Sequence, residues 1–156
     1  MQVYALDIKD LCEDEYSLIG IHSTLEDYKL AYLLNKTLDT RFCKSEKDLE
    51  FVKEKDKITY SLFNYENATY DLEYFLISNS FISKNQAISK NLLLNSETKI
   101  HLIPEKKKVD FFLKISGDLE YEFVMKTINK IKNIDYVITA YSIDKNTLKS
   151  KDFLIF

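Results

Sequence analysis

The stretch VDFFLKISGDLEYEFVMKTINKIK, Val109 to Lys132, decides the fold. Val109 to Ser116 has strand composition, with Val109, Phe111, Leu113 and Ile115 predicted to point to one face and Asp110, Phe112 and Lys114 to the other. Gly117-Asp118 ends the alternation and is predicted to cap a helix over 118–132. Its apolar stripe, Tyr121, Val124, Met125, Ile128 and Ile131, recurs at three- and four-residue spacing. Glu120 and Glu122 fall in its first turn and Lys130 and Lys132 in its last, the placement the helix dipole favours. Tyr136 to Ile143 then returns to strand composition. A strand, a capped amphipathic helix and a second strand make one βαβ-like unit.

Working outward, Lys99 to Ile103 also reads as a strand, with Pro104 at its end, where a missing N–H does no harm. Near the start, Tyr4 to Ile8 and Tyr16 to His22 are predicted to form a hairpin across an acidic turn carrying Asp10, Glu13, Asp14 and Glu15. Ser23-Thr24-Leu25-Glu26 spells a capping box and is predicted to open a helix over 24–38, striped by Leu30, Leu33, Leu34, Thr37 and Leu38. A shift of 94 positions superposes this segment on the later one: Ile21 on Ile115, Leu25 on Leu119, Glu26 on Glu120, Asn35 on Asn129, Lys36 on Lys130. Two strand-helix-strand units are thus spelled in the chain.

Between them, Arg41 to Cys43 reads as a short strand, and Lys44 to Lys57 carries too few apolar residues for deep burial. Ile58, Tyr60 and Leu62 alternate with polar neighbours and are expected to pair antiparallel with Tyr70 to Ser78. Residues 78–99, with their echo of Ile82-Ser83-Lys84-Asn85 in Ile88-Ser89-Lys90-Asn91, are expected to be an irregular loop, in which Leu92, Leu93 and Leu94 pack as a turn or anchor it. Phe153 to Phe156 forms an edge strand or a packed tail. The expected fold is a single α+β domain over 1–156: a mainly antiparallel, twisted sheet of six to eight strands with two helices packed on one face.

Composition excludes more than it assigns. The 156 residues hold 22 basic and 25 acidic side chains, net −3, and are 46% hydrophobic, enough for a core that needs no disulfide or metal. Two glycines and one proline leave no room for a G-x-G-x-x-G or P-loop motif. Cys12 and Cys43 form no C-x-x-C, and two histidines supply no metal cluster; no cofactor and no metal are expected. No leader or membrane-spanning run is spelled, which points to a cytoplasmic protein with free thiols. Acidic balance and a single arginine, Arg41, speak against nucleic acid.

One segment carries a resemblance. Ile103-Pro104-Glu105-Lys106-Lys107-Lys108-Val109-Asp110 is similar to the I-P-E-x-x-x-V-D-Y motif of the bacterial IPExxxVDY family. Leu18-Ile19-Gly20-Ile21 with Asp27-Tyr28-Lys29-Leu30-Ala31-Tyr32 and Asn35 resembles a second recurrent block of that family, and Leu76-Ile77-Ser78-Asn79 a third. Phe111 stands where the family name has tyrosine, so no role of that hydroxyl carries over. The resemblance implies a small bacterial protein and brings no reaction with it.

Three readings of function follow. The first is a non-enzymatic protein acting by protein–protein interaction or self-association, because Tyr60, Phe63, Tyr65, Tyr70 and Tyr74 concentrate on one hairpin and are expected to exceed what one buried face absorbs. The second is a small-molecule-binding regulatory domain of two βαβ-like units, its ligand held at helix starts near His22 to Asp27, including Tyr28, and Ser116 to Asp118. The third is an enzyme using Glu105 and Asp110, beside Pro104, as a carboxylate pair; a carboxylate that merely caps the turn is the plainer alternative.

Overall fold

The structure, a computed structural model, describes residues 15–86 and 95–156. The chain runs β1 (Tyr16–Ser23), α1 (Asp27–Leu38), β2 (Cys43–Lys44), β3 (Leu49–Lys53), β4 (Asp56–Tyr60), β5 (Leu62–Asn67), β6 (Leu72–Ser78), β7 (Ser80–Gln86), β8 (Asn95–His101), β9 (Phe111–Ser116), α2 (Tyr121–Lys132) and β10 (Val137–Ile143). Six strands form the main sheet in the order β10-β1-β9-β6-β5-β2, every neighbouring pair antiparallel. Two hairpins, β3-β4 and β7-β8, stand apart from it. The fold is the expected α+β arrangement with both helices on one face.

Topology explains why the helices share a face. β9 and β10 both run antiparallel to β1, so they are parallel to each other, and α2 links them by a crossover with β1 between. β1 and β2 are likewise parallel and joined by α1, but the crossover runs toward the other edge. Parallel crossovers keep one hand. Strand direction and lateral travel are both reversed between the two units, so a single hand places both helices on the same side, where they touch each other.

On that side Ile19, Ile21, Phe63, Tyr74, Leu76, Phe111, Leu113, Ile115 and Ala140 of the sheet meet Leu30, Ala31 and Leu34 of α1 and Val124, Ile128 and Ile131 of α2. The reverse face is buried as well. Leu18, Leu62, Ile77, Phe112 and Ile143 are covered by Ile58 and Tyr60 of β4, by Leu102, Ile103 and Val109, and by Leu148 and Leu154 near the C-terminus. The central strand β9 is therefore buried on both faces from Phe111 to Ile115, which is why it is nearly unbroken in apolar residues rather than alternating. Lys114 sits in this second core, donating to the Leu154 carbonyl at 2.6 Å with its amino group 4.7–4.8 Å from the ring centres of Phe156 and Tyr16. Val109 lies just before the strand and faces the second core, not the helix side with Phe111 as the alternation predicts.

The two glycines mark places where a side chain does not fit. A Cβ on Gly20 would come within 2.7 Å of Ile143 Cδ1 and 3.2 Å of Val109 Cγ2, and Gly117 has φ +119° at the exit of β9, a conformation open to glycine.

Several expectations are corrected. Helix α1 begins at Asp27, not at residue 24, and its N-cap Glu26 makes no side-chain cap bond. Ser23 ends β1 instead: its hydroxyl donates to the Tyr136 carbonyl at 2.9 Å and accepts from Leu25 N–H at 3.1 Å. The hydroxyl is recruited by a distant segment, at a ladder irregularity opposite Val137, before it can cap. Gly117-Asp118 likewise precedes α2 without capping it; the N-cap is Glu120. Tyr121, on the apolar stripe by spacing, is exposed at the first residue of the helix.

The described residues of 78–99 are strand rather than irregular loop: Ser80–Gln86 pairs with Asn95–His101 as the antiparallel hairpin β7-β8, backbone pairing there overriding a composition that reads as loop. Ile58 and Tyr60 belong to β4, which pairs with β3, while Leu62 starts the strand that pairs with β6. The segment 44–57 has no buried residue, as its charge predicts. Of the two readings of Phe153 to Phe156 the packed tail is the one present: after a 3-10 turn, Lys151–Leu154, Leu154 is buried, Phe153 meets Phe51 and Phe156 meets Phe75. Tyr4–Ile8, Cys12, the turn from Asp10 to Asp14 and Leu92–Leu94 lie outside the described residues. Both edges of β1 are taken by β10 and β9. No helix among the described residues is long and apolar enough to cross a membrane.

Candidate functional site

The segment Ile103 to Asp110 forms the turn between β8 and β9 and Asn79 reaches into it, so the site is built there. Pro104 opens a single 3-10 turn, Pro104–Lys106, its fixed φ suited to the first position. The turn closes on itself through Lys106 N–H to the Ile103 carbonyl and Val109 N–H to the Lys106 carbonyl, both 3.0 Å. Asn79, fully buried, reaches it from the end of β6. Its Nδ2 donates to the carbonyls of Lys106 (2.9 Å) and Val109 (2.8 Å), and its Oδ1 accepts from Ile103 N–H at 2.9 Å. The Asn79 backbone adds bonds to Asp110 and Leu102. Every donor of the amide is used.

The two carboxylates of the motif leave this turn toward different segments. Glu105 accepts from the backbone N–H of Ser150 at 2.7 Å and from its hydroxyl at 3.0 Å. Asp110 accepts from Ser23 N–H at 2.9 Å, while its own N–H donates to the Ile21 carbonyl. They share no partner, and neither lines the shallow depression described below. Each carboxylate holds the backbone N–H of a distant segment, Ser150 for Glu105 and Ser23 for Asp110, while the turn's own Lys106 and Val109 N–H groups go to backbone carbonyls. Asn35 does the same work elsewhere, accepting from Phe42 N–H (2.7 Å) and the Thr40 hydroxyl (3.0 Å) to shape the exit of α1 into β2.

Electrostatics follow these bonds. Partial desolvation pushes the Glu105 carboxyl up, but the bonds from Ser150 and neighbouring backbone N–H groups outweigh it and hold the carboxyl below its ordinary value of 4.5. A carboxylate whose pKa is lowered by folding stabilises the native state above its unfolded pKa, and that contribution is lost as pH falls through the folded one. Wild type is therefore expected to be more stable than Glu105→Gln at neutral pH, with the gap closing below about pH 4. Chemical denaturation of both proteins across that range checks it; a gap independent of pH would assign the Ser150 bonds to geometry alone. His101, at the end of β8, is held below its ordinary pKa by partial burial and by Lys99 and Lys107.

The other sequence candidates are dispersed. His22 Nε2 lies 3.0 Å from the Tyr141 hydroxyl, a pair reaching from β1 to β10. Asp27 accepts from the Ser61 hydroxyl, which in turn accepts from Lys44 Nζ at 2.9 Å, and Lys44 pairs with Asp48. Tyr28 is 56% exposed, and its hydrogen bond to Glu26 raises the phenol pKa. The two helix starts offered for a shared ligand lie at opposite ends of β1, since Tyr16 pairs with Ser116 and Ile21 with Phe111. That is about 20 Å at strand rise. Beside Gly117 and Asp118 there is one shallow depression of about 280 Å³ bordered by Glu15, Tyr16, Lys145 and Asn146. No group of three or more metal-ligating side chains occurs among the described residues.

The aromatic hairpin is corrected more sharply. Tyr60, Phe63 and Tyr74 are buried and Tyr65 is half-buried; Tyr70 alone of the five is exposed. Burial raises the phenol pKa of Tyr60 and of Tyr74. The run does not overfill one face, because β4 and β5 belong to separate sheets and their rings divide between two cores.

Sequence reasoning missed the surface that the fold leaves open. β10 is an edge strand among the described residues, and its seven residues, Val-Ile-Thr-Ala-Tyr-Ser-Ile, carry no charge. Ile138 is 71% exposed on it, with Tyr136 and Tyr141 also exposed. The opposite edge, β2, is two residues long and includes Lys44, a common way of blunting an edge. The uncharged run from 137 to 143 was the available signal.

These features define a class: an α+β domain whose polar motif residues clamp backbone, and whose exposed apolar residues include Ile138 on a sheet edge beside others dispersed over helices and turns, such as Tyr32, Val52, Tyr70 and Tyr121. Comparison with protein-family models, with curated proteins and with solved structures finds no match.

Proposed function

We propose that this chain is a non-enzymatic, cytoplasmic member of the IPExxxVDY family that acts through protein–protein contact, and that the contact is made by the β10 edge instead of the aromatic hairpin. The observation carrying this reading is the uncharged, seven-residue open strand with Ile138 exposed on it. Unpaired strand N–H and C=O groups are a template for another strand. The motif residues support the reading from the other side, because Asn35, Asn79, Glu105 and Asp110 are each engaged in holding backbone.

Amide hydrogen exchange in dilute solution tests it. Alternate N–H groups of Thr139 to Ile143, where the ladder with β1 is regular, face β1 and are expected to be protected; those between face outward and are expected to exchange quickly. Uniform protection in a dilute monomer would mean that the chain itself covers the edge, and the reading would fail.

A further inference from the structure

Lys106, Lys107 and Lys108 follow the motif glutamate without a break, and the fold adds to this run from two other segments. Glu105 accepts from the backbone N–H and the hydroxyl of Ser150 at 2.7 and 3.0 Å, which brings Lys149 and Lys151, on either side of Ser150, up to the turn. From β8, Lys99 stands with Lys107 near His101, and the two ammonium charges help to hold that imidazole below its ordinary pKa. We infer that this lysine cluster is a docking surface for an acidic protein segment, a stretch of a partner rich in Asp and Glu, and that Glu105 is the residue that assembles it.

The lysines stand outward because the inner side of the turn is taken. Ile103 and Val109 are buried, and Asn79 holds the carbonyls of Lys106 and Val109. Lys99, Lys107, Lys108 and Lys149 are exposed, and Lys106 and Lys151 are half-buried. Among the described residues none of Lys99, Lys106, Lys107, Lys108 and Lys149 enters an ion pair. The neighbouring acids are turned to other work, Glu105 on Ser150 and Asp110 on the Ser23 N–H; Asp152 is an exposed acid at the border. Like charges gathered in this way repel one another and do not favour the compact state. What they do is raise the local potential and draw in opposite charge.

The kind of cation selects the kind of anion. Lysine is a point charge that suits dispersed carboxylates, whereas bidentate reading of phosphate favours arginine, and the chain's single arginine, Arg41, is no part of the cluster. Six lysines against one acid make stretches 99–108 and 149–151 net +5, leaving the rest of the chain at −8 for a total of −3. A short acidic segment meets the cluster alone. A long nucleic acid also meets the negative remainder, which opposes the backbone attraction it depends on.

Fluorescence anisotropy of the full chain with a labelled oligoglutamate peptide, over a series of salt concentrations, tests the proposal. Binding is expected, and it should weaken as salt rises. Lys107→Glu with Lys108→Glu is expected to weaken it about tenfold or more at low salt. Lys126→Glu with Lys130→Glu, an equal change of charge at exposed positions of α2, should leave it within about twofold. Glu105→Ala makes the chain more positive, yet it frees Lys149 and Lys151 from the turn and is expected to weaken binding; thermal melts confirm that each variant is folded. Tighter binding by Glu105→Ala would overturn the assembling role of Glu105. Equal losses from the two lysine pairs would assign the binding to net charge and overturn the site, as would no binding at low salt. An oligothymidylate of the same charge that displaces the peptide at a lower concentration than unlabelled peptide does would overturn the acidic segment in favour of nucleic acid.

Discussion

Asn79→Ala is expected to cost about 3–6 kcal/mol of folding stability. Three backbone groups lose their Asn79 bond at once, and two of them, the Val109 carbonyl and the Ile103 N–H, lose the partner that satisfies them, whereas the Lys106 carbonyl still accepts from Val109 N–H. An orphaned buried polar group costs about 1–3 kcal/mol, and a whole domain is stable by only about 5–15 kcal/mol. The loss is therefore a large share of the total. It should appear as a lower urea midpoint with unchanged slope. Asn79→Asp is expected to be at least as damaging, because it keeps the acceptor for Ile103 while turning a donor that faces two carbonyls into an acceptor. An alanine variant within about 0.5 kcal/mol of wild type, the range of ordinary surface changes, would show that the motif turn holds itself.

Tyr74→Ser should destabilise by about 3–5 kcal/mol, the range for deleting a buried aromatic ring, whereas Tyr70→Ser on the same hairpin should be nearly silent. The ring of Tyr74 is buried between Phe42, at 6.2 Å and edge-on, and Tyr65 at 5.4 Å; Tyr70 is 73% exposed. Thermal and urea melts of the two variants decide between a core and an interface role for the hairpin. A Tyr74 variant that melts with wild type and changes only its association state would restore the hairpin as a docking surface.

The motif residues show how local legibility and meaning differ. Ile103 to Asp110 was readable as the turn joining two strands, and it is one, although β8 already stops at His101 and β9 starts only at Phe111. What the carboxylates do was not readable, because their partners Ser150 and Ser23 lie 45 and 87 residues away. Ser23 shows the converse. Its local spelling is a good capping box, yet its hydroxyl is taken by Tyr136 across 113 residues, and the helix starts three residues later than predicted. Spacing reports which bonds are available, and only the packed chain decides which is made.

By itself the sequence determined the two amphipathic helices, the strands flanking them and the α+β class, since these follow from periodicities of 3.6 and 2 over short windows. It also determined the uncharged character of residues 137–143. The tertiary structure alone decided that the sheet is buried on both faces, that Tyr60, Phe63 and Tyr74 are core, and that β10 is an edge. Burial and edge position depend on strand order. That order is set by contacts among segments far apart in the chain, about which a local pattern carries no information.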